Sequence, residues 1–168
     1  MKPRSLKYTI LIFCLLISFD AFSQQLTASD TSEKSVRHYQ SIIKNNRQLV
    51  NFIEYTFRSR GVPKHMRNLA IIESGLDHQI VSHAGAKGMW QFMVDHANEY
   101  GLSDEDRSDM YKSTKTAAVS LINLYNKYGN WITVVAAYNC GEGNIQKAMN
   151  KAGSKKYTDF PKCMLCNR

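Results

Sequence analysis

Pro63-Lys64-His65-Met66-Arg67-Asn68-Leu69-Ala70-Ile71-Ile72-Glu73-Ser74-Gly75 is the stretch on which the fold turns. Pro63 is suited to a first helical position, where its missing N–H costs nothing. Met66, Leu69, Ala70, Ile71 and Ile72 then recur at helical spacing, and Gly75 supplies a stop. Upstream, Val36, Tyr39, Ile42, Ile43, Leu49, Val50, Phe52, Ile53 and Phe57 predict one helix from about Ser32 to Arg60, ended by Gly61-Val62-Pro63. Downstream, residues 76–88 carry glycines and few strand formers and read as a loop with at most a trivial hairpin. A third helix is expected from Met89 to Tyr100. A polar, acidic connector from Ser103 to Asp109 leads to a fourth, Ser113 to Tyr128. Trp131 to Asn139 is nearly all apolar and predicts a buried helix. Gly141-Glu142-Gly143 separates it from a short sixth, Asn144 to Ala152. No useful stretch alternates with period two, so the class expected is all-α.

The amino terminus bears on compartment. Lys2, Arg4 and Lys7 precede an apolar run from Tyr8 to Phe19, and Ala21-Phe22-Ser23 gives a small-x-small pattern. Residues 1–23 therefore read as a cleaved signal peptide. The run is about a dozen residues, short of the ~20 that span a bilayer, and no stable membrane span is expected after cleavage. The organisation expected is a signal peptide (1–23), an N-terminal lead-in and helix (24–60), a main domain (61–152) and a short cysteine-containing tail (153–168). The 145 residues left after cleavage suffice for one domain with its own core.

Removing Lys2, Arg4, Lys7 and Asp20 takes the formal charge from +8 to +6. A basic exported protein suits an anionic target such as a bacterial cell wall. Nucleic acid is not expected, because no basic stripe is interleaved with aromatics. Cys163-x-x-Cys166 lacks the second pair a zinc site needs, so no metal and no cofactor are expected. Cys140, Cys163 and Cys166 form an odd set. In an oxidising compartment Cys140 is expected to bond Cys163 or Cys166, closing a loop of about 25 residues and pinning the tail. The rival pairing of Cys163 with Cys166 fixes nothing to the core.

Glu73 is the first chemical anomaly. It ends an apolar helix with no Lys or Arg three or four residues away. The negative helix end and partial burial both disfavour its charge and are expected to raise its pKa, as a proton donor to a glycosidic oxygen requires. After it come Ser82, then Gly85-Ala86-Lys87-Gly88-Met89-Trp90-Gln91-Phe92-Met93, then Ala136-Ala137-Tyr138-Asn139-Cys140-Gly141. Together with Glu73-Ser74-Gly75 these resemble three ordered signatures of the lytic transglycosylases, members of the lysozyme superfamily with a goose-lysozyme-like domain. They look most like the membrane-bound D-type branch. Eighteen residues separate Glu73 from Gln91, and 47 separate Gln91 from Tyr138. The resemblance runs from about Gly61 to Ala152.

The resemblance implies a helical, lysozyme-like domain with a glycan-binding cleft, located in the periplasm or cell envelope of a bacterium. Glu73 would be the catalytic acid/base. Ser82 and Gln91 would hydrogen-bond the sugar, Met93 and Tyr138 would pack against it, and Asn139 would support the site. Trp90 and Trp131 read as core residues rather than subsites. The substrate implied is the peptidoglycan glycan strand, cleaved at the MurNAc–GlcNAc β-1,4 bond to leave 1,6-anhydro ends. Goose-type lysozymes look to carry aspartates at places matched here by Ser82 and Met93, so the lyase reaction is favoured over hydrolysis. The alternatives are a goose-type muramidase and a non-catalytic wall-binding component of a secretion or conjugation apparatus. Two departures stand out. The family's Met-Pro-x-Thr stretch reads Met93-Val94-Asp95-His96 here. The D-type Glu-Thr-x-x-Tyr-Val segment that roofs the cleft is expected to be absent, or replaced by the cysteine tail.

Overall fold

The apolar spacing of the N-terminal third becomes two helices rather than one. The computed structural model describes residues 33–160, so the expected signal peptide and the cysteines at 163 and 166 lie outside the described residues. Helix α1 spans Glu33–Asn45 and α2 spans Arg47–Arg58. Asn46 breaks the expected continuous helix at φ −113°, ψ 29°. Both its backbone N–H (3.1 Å) and its side-chain amide (2.9 Å) donate to the Ile42 carbonyl. A short amide side chain competes in this way with regular helical bonding, and periodicity alone does not register it. From α2, Val50, Ile53, Thr56 and Phe57 are buried.

The segment opened by Pro63 is helical in two parts. Lys64–Arg67 is a 3₁₀ turn, and α3 occupies Asn68–Ser74. Met66, Leu69, Ala70 and Ile71 are buried, and α2 packs on the 3₁₀ turn. Arg67 pairs with Glu54 of α2, and the Tyr39 hydroxyl of α1 donates to Asn68 Oδ1 at 2.5 Å. Gly75 ends α3 in the left-handed region (φ +64°), as expected of that glycine. Its N–H reaches Ile71 O at 2.8 Å.

The third helix differs most from expectation. Met89 to Phe92 is not helical, and α4 covers only Val94–Glu99. The chain instead makes two isolated antiparallel bridges, Val81 with Lys87 and Lys87 with Phe92. Gly88 and Gln91 both have positive φ, +80° and +50°. Burial explains the override of helix propensity. Met89 and Trp90 are fully buried and Phe92 nearly so. Trp90 Nε1 donates to Thr114 Oγ1 at 3.1 Å, and its ring lies 5.4 Å from that of Phe57. Trp90 is thus a core residue, as its sequence context suggests.

Helix α5, Met110–Tyr128, starts three residues before the expected Ser113. Asp109 is the reason, since its Oδ1 accepts from the N–H groups of Tyr111 and Lys112, both at 2.8 Å. The chain divides into two units within this helix, one ending at Ile122 and the other beginning at Asn123.

In the second unit, α6 is Trp131–Cys140 and α7 is Glu142–Ala152, followed by a 3₁₀ turn at Tyr157–Asp159. Thr133, Val134, Ala136, Ala137 and Asn139 of α6 are buried. Trp131 is half-buried and stacks on Tyr125 with centroids 4.4 Å apart. Asn130 caps α6 by accepting from Ile132 N at 2.8 Å and Thr133 N at 3.3 Å. Asn130→Ala should therefore lower stability by about 1 kcal/mol, which a thermal melt would register as a fall in Tm of about 3 °C. No strand is present among the described residues, and the all-α class is borne out. No described helix is long and apolar enough to cross a membrane.

Candidate active site

Glu73 is half-buried in the last turn of α3, two residues before the Gly75 that ends the helix. Gly75 and Leu76 both have positive φ, +64° and +69°. For leucine this conformation costs energy and is sustained only by its surroundings; here Leu76 is buried and its N–H reaches Ala70 O at 3.3 Å. Ser74 adds a lateral tie. Its single hydroxyl proton is shared between Ala70 O (3.1 Å) within the helix and the nearer Met89 O (2.9 Å) in the turn of residues 88–91. The helix end that carries Glu73 is thereby joined to the turn that carries Gln91.

Gln91 is half-buried, and its backbone is unusual for a non-glycine residue. Its Nε2 donates to Gly88 O at 2.8 Å and more weakly to Ile80 O at 3.4 Å. The amide nitrogen therefore braces the turn and leaves the side-chain oxygen as an acceptor. Ser82 closes the other end of the same loop: its Oγ accepts from Ala86 N at 3.0 Å and its N–H donates to Ala86 O at 2.8 Å. Met93 is 41% exposed and stands in extended conformation immediately before α4. Glu73, Ser82, Gln91 and Met93 thus all belong to the unit ending at Ile122.

Tyr138 and Asn139 belong to the second unit, in the last turn of α6. Tyr138 is half-buried. Asn139 is 3% exposed, and its Oδ1 has no hydrogen-bond partner among the described residues. Cys140 is disulfide-bonded to a partner outside the described residues. In the same unit Lys127 pairs with Glu142, and Tyr128 Oη lies 3.4 Å from that carboxylate. The pair holds the Lys127 ammonium above its usual range, chiefly through the hydrogen bond to Glu142.

Two charged residues that support this region were not expected. Arg107 is 4% exposed. Its Nη1 donates to Gly85 O at 2.9 Å and Phe92 O at 2.7 Å, and its Nη2 bonds Asp104. Lys87 Nζ bonds the other oxygen of Asp104 at 2.9 Å. These bonds, the one from Lys87 first and then the one from Arg107, hold the Asp104 carboxyl at about 2, below its ordinary 3.8. Sequence alone presents residues 103–109 as a polar connector, and nothing local distinguishes Arg107 from a solvated cation. Asp77, the nearest spare carboxyl in sequence, is exposed and accepts from Gln79 N at 2.8 Å in a local turn. Among the described residues no group of three or more His, Cys, Asp or Glu could hold a metal ion.

Residues 50–161 match the family model described as "Transglycosylase SLT domain". The chain is 40% identical over 111 residues to the membrane-bound lytic murein transglycosylase D of Escherichia coli K12, an alignment covering 61% of this chain and 24% of that protein. It is 27% identical over 109 residues to a putative tributyltin chloride resistance protein of an Alteromonas species, covering 62% of this chain and 53% of that one. The chain thus spans about a quarter and about half of these relatives' lengths. The matched segment takes in α3, the bridged loop after it and α6, the elements bearing the three sequence signatures, and on that span the chain belongs to the SLT transglycosylase family.

Proposed function

We propose that this protein is a lytic transglycosylase that cleaves the MurNAc–GlcNAc β-1,4 bond of peptidoglycan, with Glu73 as acid and then base. The observation that carries the reading is Glu73 itself, half-buried at a helix end that Ser74 ties to the Gln91 turn. The family supports the substrate class, and the sequence signal in residues 1–23 supports export to the periplasm or envelope.

The reaction proceeds with one carboxyl group. Protonated Glu73 donates to the glycosidic oxygen as the bond to C1 of the muramyl residue breaks. The N-acetyl carbonyl oxygen of that residue bonds to C1 and carries the resulting charge as an oxazolinium. The Glu73 carboxylate then takes the proton of the C6 hydroxyl, O6 attacks C1, and the oxazolinium opens. Water is not consumed, and the carboxyl ends as it began. A hydrolase normally sets two carboxylates across the bond. Here Asp77 is engaged with its own loop, and the positions matching goose-type aspartates are Ser82 and Met93. The Gln91 amide oxygen serves as acceptor for the acetamido N–H. Tyr138 and Met93 offer apolar surface to the sugar, Ser82 lines the loop, and Asn139 supports the site from the end of α6, its Oδ1 having no hydrogen-bond partner among the described residues.

Digestion of purified sacculi in oxygen-18 water tests the reaction. Mass spectra should contain 1,6-anhydromuramyl ends without the heavy isotope. Oxygen-18 at the muramyl C1 would instead make the protein a muramidase, and intact sacculi would make it a wall-binding component.

A further inference from the structure

Arg107 is a buried cation with no place in the chemistry above. Its guanidinium takes the carbonyls of Gly85 and Phe92, one on each side of the turn at residues 88–91, and the Asp104 carboxylate completes the set. Lys87 lies between the two bridges of the loop and grips Asp104 from the other side. The grip is double, because the Arg107 backbone carbonyl also lies against Gly88, where an added Cβ would sit 1.9 Å from it. Within this grip the loop holds non-glycine residues at positive φ near both ends, Leu76 and Gln91. Strained backbone of that kind persists only where surrounding structure imposes it. From the turn, Met89 O continues to Ser74, the neighbour of Glu73.

We propose that Arg107, oriented by Asp104 and Lys87, is a positioning residue that sets the Gly88–Gln91 turn against the helix end bearing Glu73. The assignment rests on the transglycosylase reading of that site. Arginine is required because its planar fork serves two carbonyls and a carboxylate at once, whereas a lysine ammonium is a point charge without that geometry. The Asp104 carboxylate remains charged well into acid, so the grip does not release over the pH range in which a glutamate titrates.

The test compares the full chain with Arg107→Lys and Asp104→Asn, reading sacculus cleavage and backbone amide exchange on the same samples. A small displacement of a catalytic group costs about 10²-fold. Arg107→Lys should lower kcat by about that factor with KM within about threefold, the pattern of a loss felt in the transition state. Asp104→Asn removes the charge that accepts from both Arg107 and Lys87 and should cost about tenfold in kcat. In both, exchange at the Gly88 and Phe92 amides, bonded to Ile80 O and Lys87 O in the native loop, should quicken about tenfold or more while α5 amides stay unchanged. Asp104 is 63% exposed, so its variant folds and carries both readings should Arg107→Lys fail to fold. Loop exchange equal to wild type overturns the grip. Faster loop exchange with unchanged kcat overturns the positioning role and leaves Arg107 a local stabiliser. A wild-type protein that leaves sacculi intact removes the reaction assigned to Glu73, and the exchange arm alone then decides whether Arg107 holds the loop.

Discussion

Glu73→Gln should abolish detectable glycan cleavage while leaving the fold intact. The side chain lies half-buried in the last turn of a helix whose buried contacts come from Leu69, Ala70 and Ile71. Glutamine matches its shape, and removing a negative charge from the negative end of a helix relieves an unfavourable interaction with the dipole. It can neither donate the proton that departs with the leaving group nor accept the one from the C6 hydroxyl. A positioned acid or base contributes about 10²–10⁴-fold, and one group serving both steps places the loss at or beyond the upper end. Cleavage of purified sacculi checks this, with a thermal melt on the same preparation expected to agree with wild type. Turnover near wild type would remove Glu73 from the chemistry.

Gly88→Ala should be the most damaging single-methyl change in the loop. Two costs combine there. The φ of +80° strains any L side chain, at about 1–2 kcal/mol. The added Cβ would also stand 1.9 Å from Arg107 O and 2.9 Å from Arg107 C. Overpacking of a tight contact costs about 1–3 kcal/mol. Neither side yields easily, because the Arg107 guanidinium is buried on carbonyls of the same loop. The sum, about 2–5 kcal/mol, corresponds to a fall in Tm of roughly 6–15 °C. Gly101→Ala isolates the first cost, since that glycine has φ +68° and open space where its Cβ would go. Its melt should fall by only about 3–6 °C. Equal shifts in the two variants would show that Gly88 is needed for its dihedral alone and that the approach of Arg107 is immaterial.

Much of this molecule is settled by interactions between near neighbours in the chain, and these are legible in the sequence. Apolar spacing marks α2, α3, α5 and α6, while Gly75 stops α3 through a dihedral that glycine adopts freely. Asn130 caps α6 by a bond two residues long. The candidate site residues are legible for a different reason: Glu73, Ser82, Gln91, Met93, Tyr138 and Asn139 sit in short motifs whose order and separations resemble a known family.

What only the tertiary structure decided depends on partners distant in the chain. Residues 89–93 have a helix-compatible sequence, yet Trp90 is drawn into the core to meet Phe57 and Thr114, and its neighbours take a turn instead. The break at Asn46 and the early start of α5 at Asp109 are local by contrast, made by side-chain bonds two to four residues long that hydrophobic periodicity does not count. Arg107 is the extreme case. In sequence it lies in a polar, acidic connector, and its guanidinium bonds Gly85, Phe92 and Asp104, the last held also by Lys87. Burying a guanidinium is unfavourable unless its donors are met, and here carbonyls 15 and 22 residues away and the Asp104 carboxylate take its Nη1 and Nη2 groups, while Nε has no partner among the described residues. Local patterns set which segments are helical, whereas the shape of the loop beside Glu73 is set by a charge that only the folded chain can satisfy.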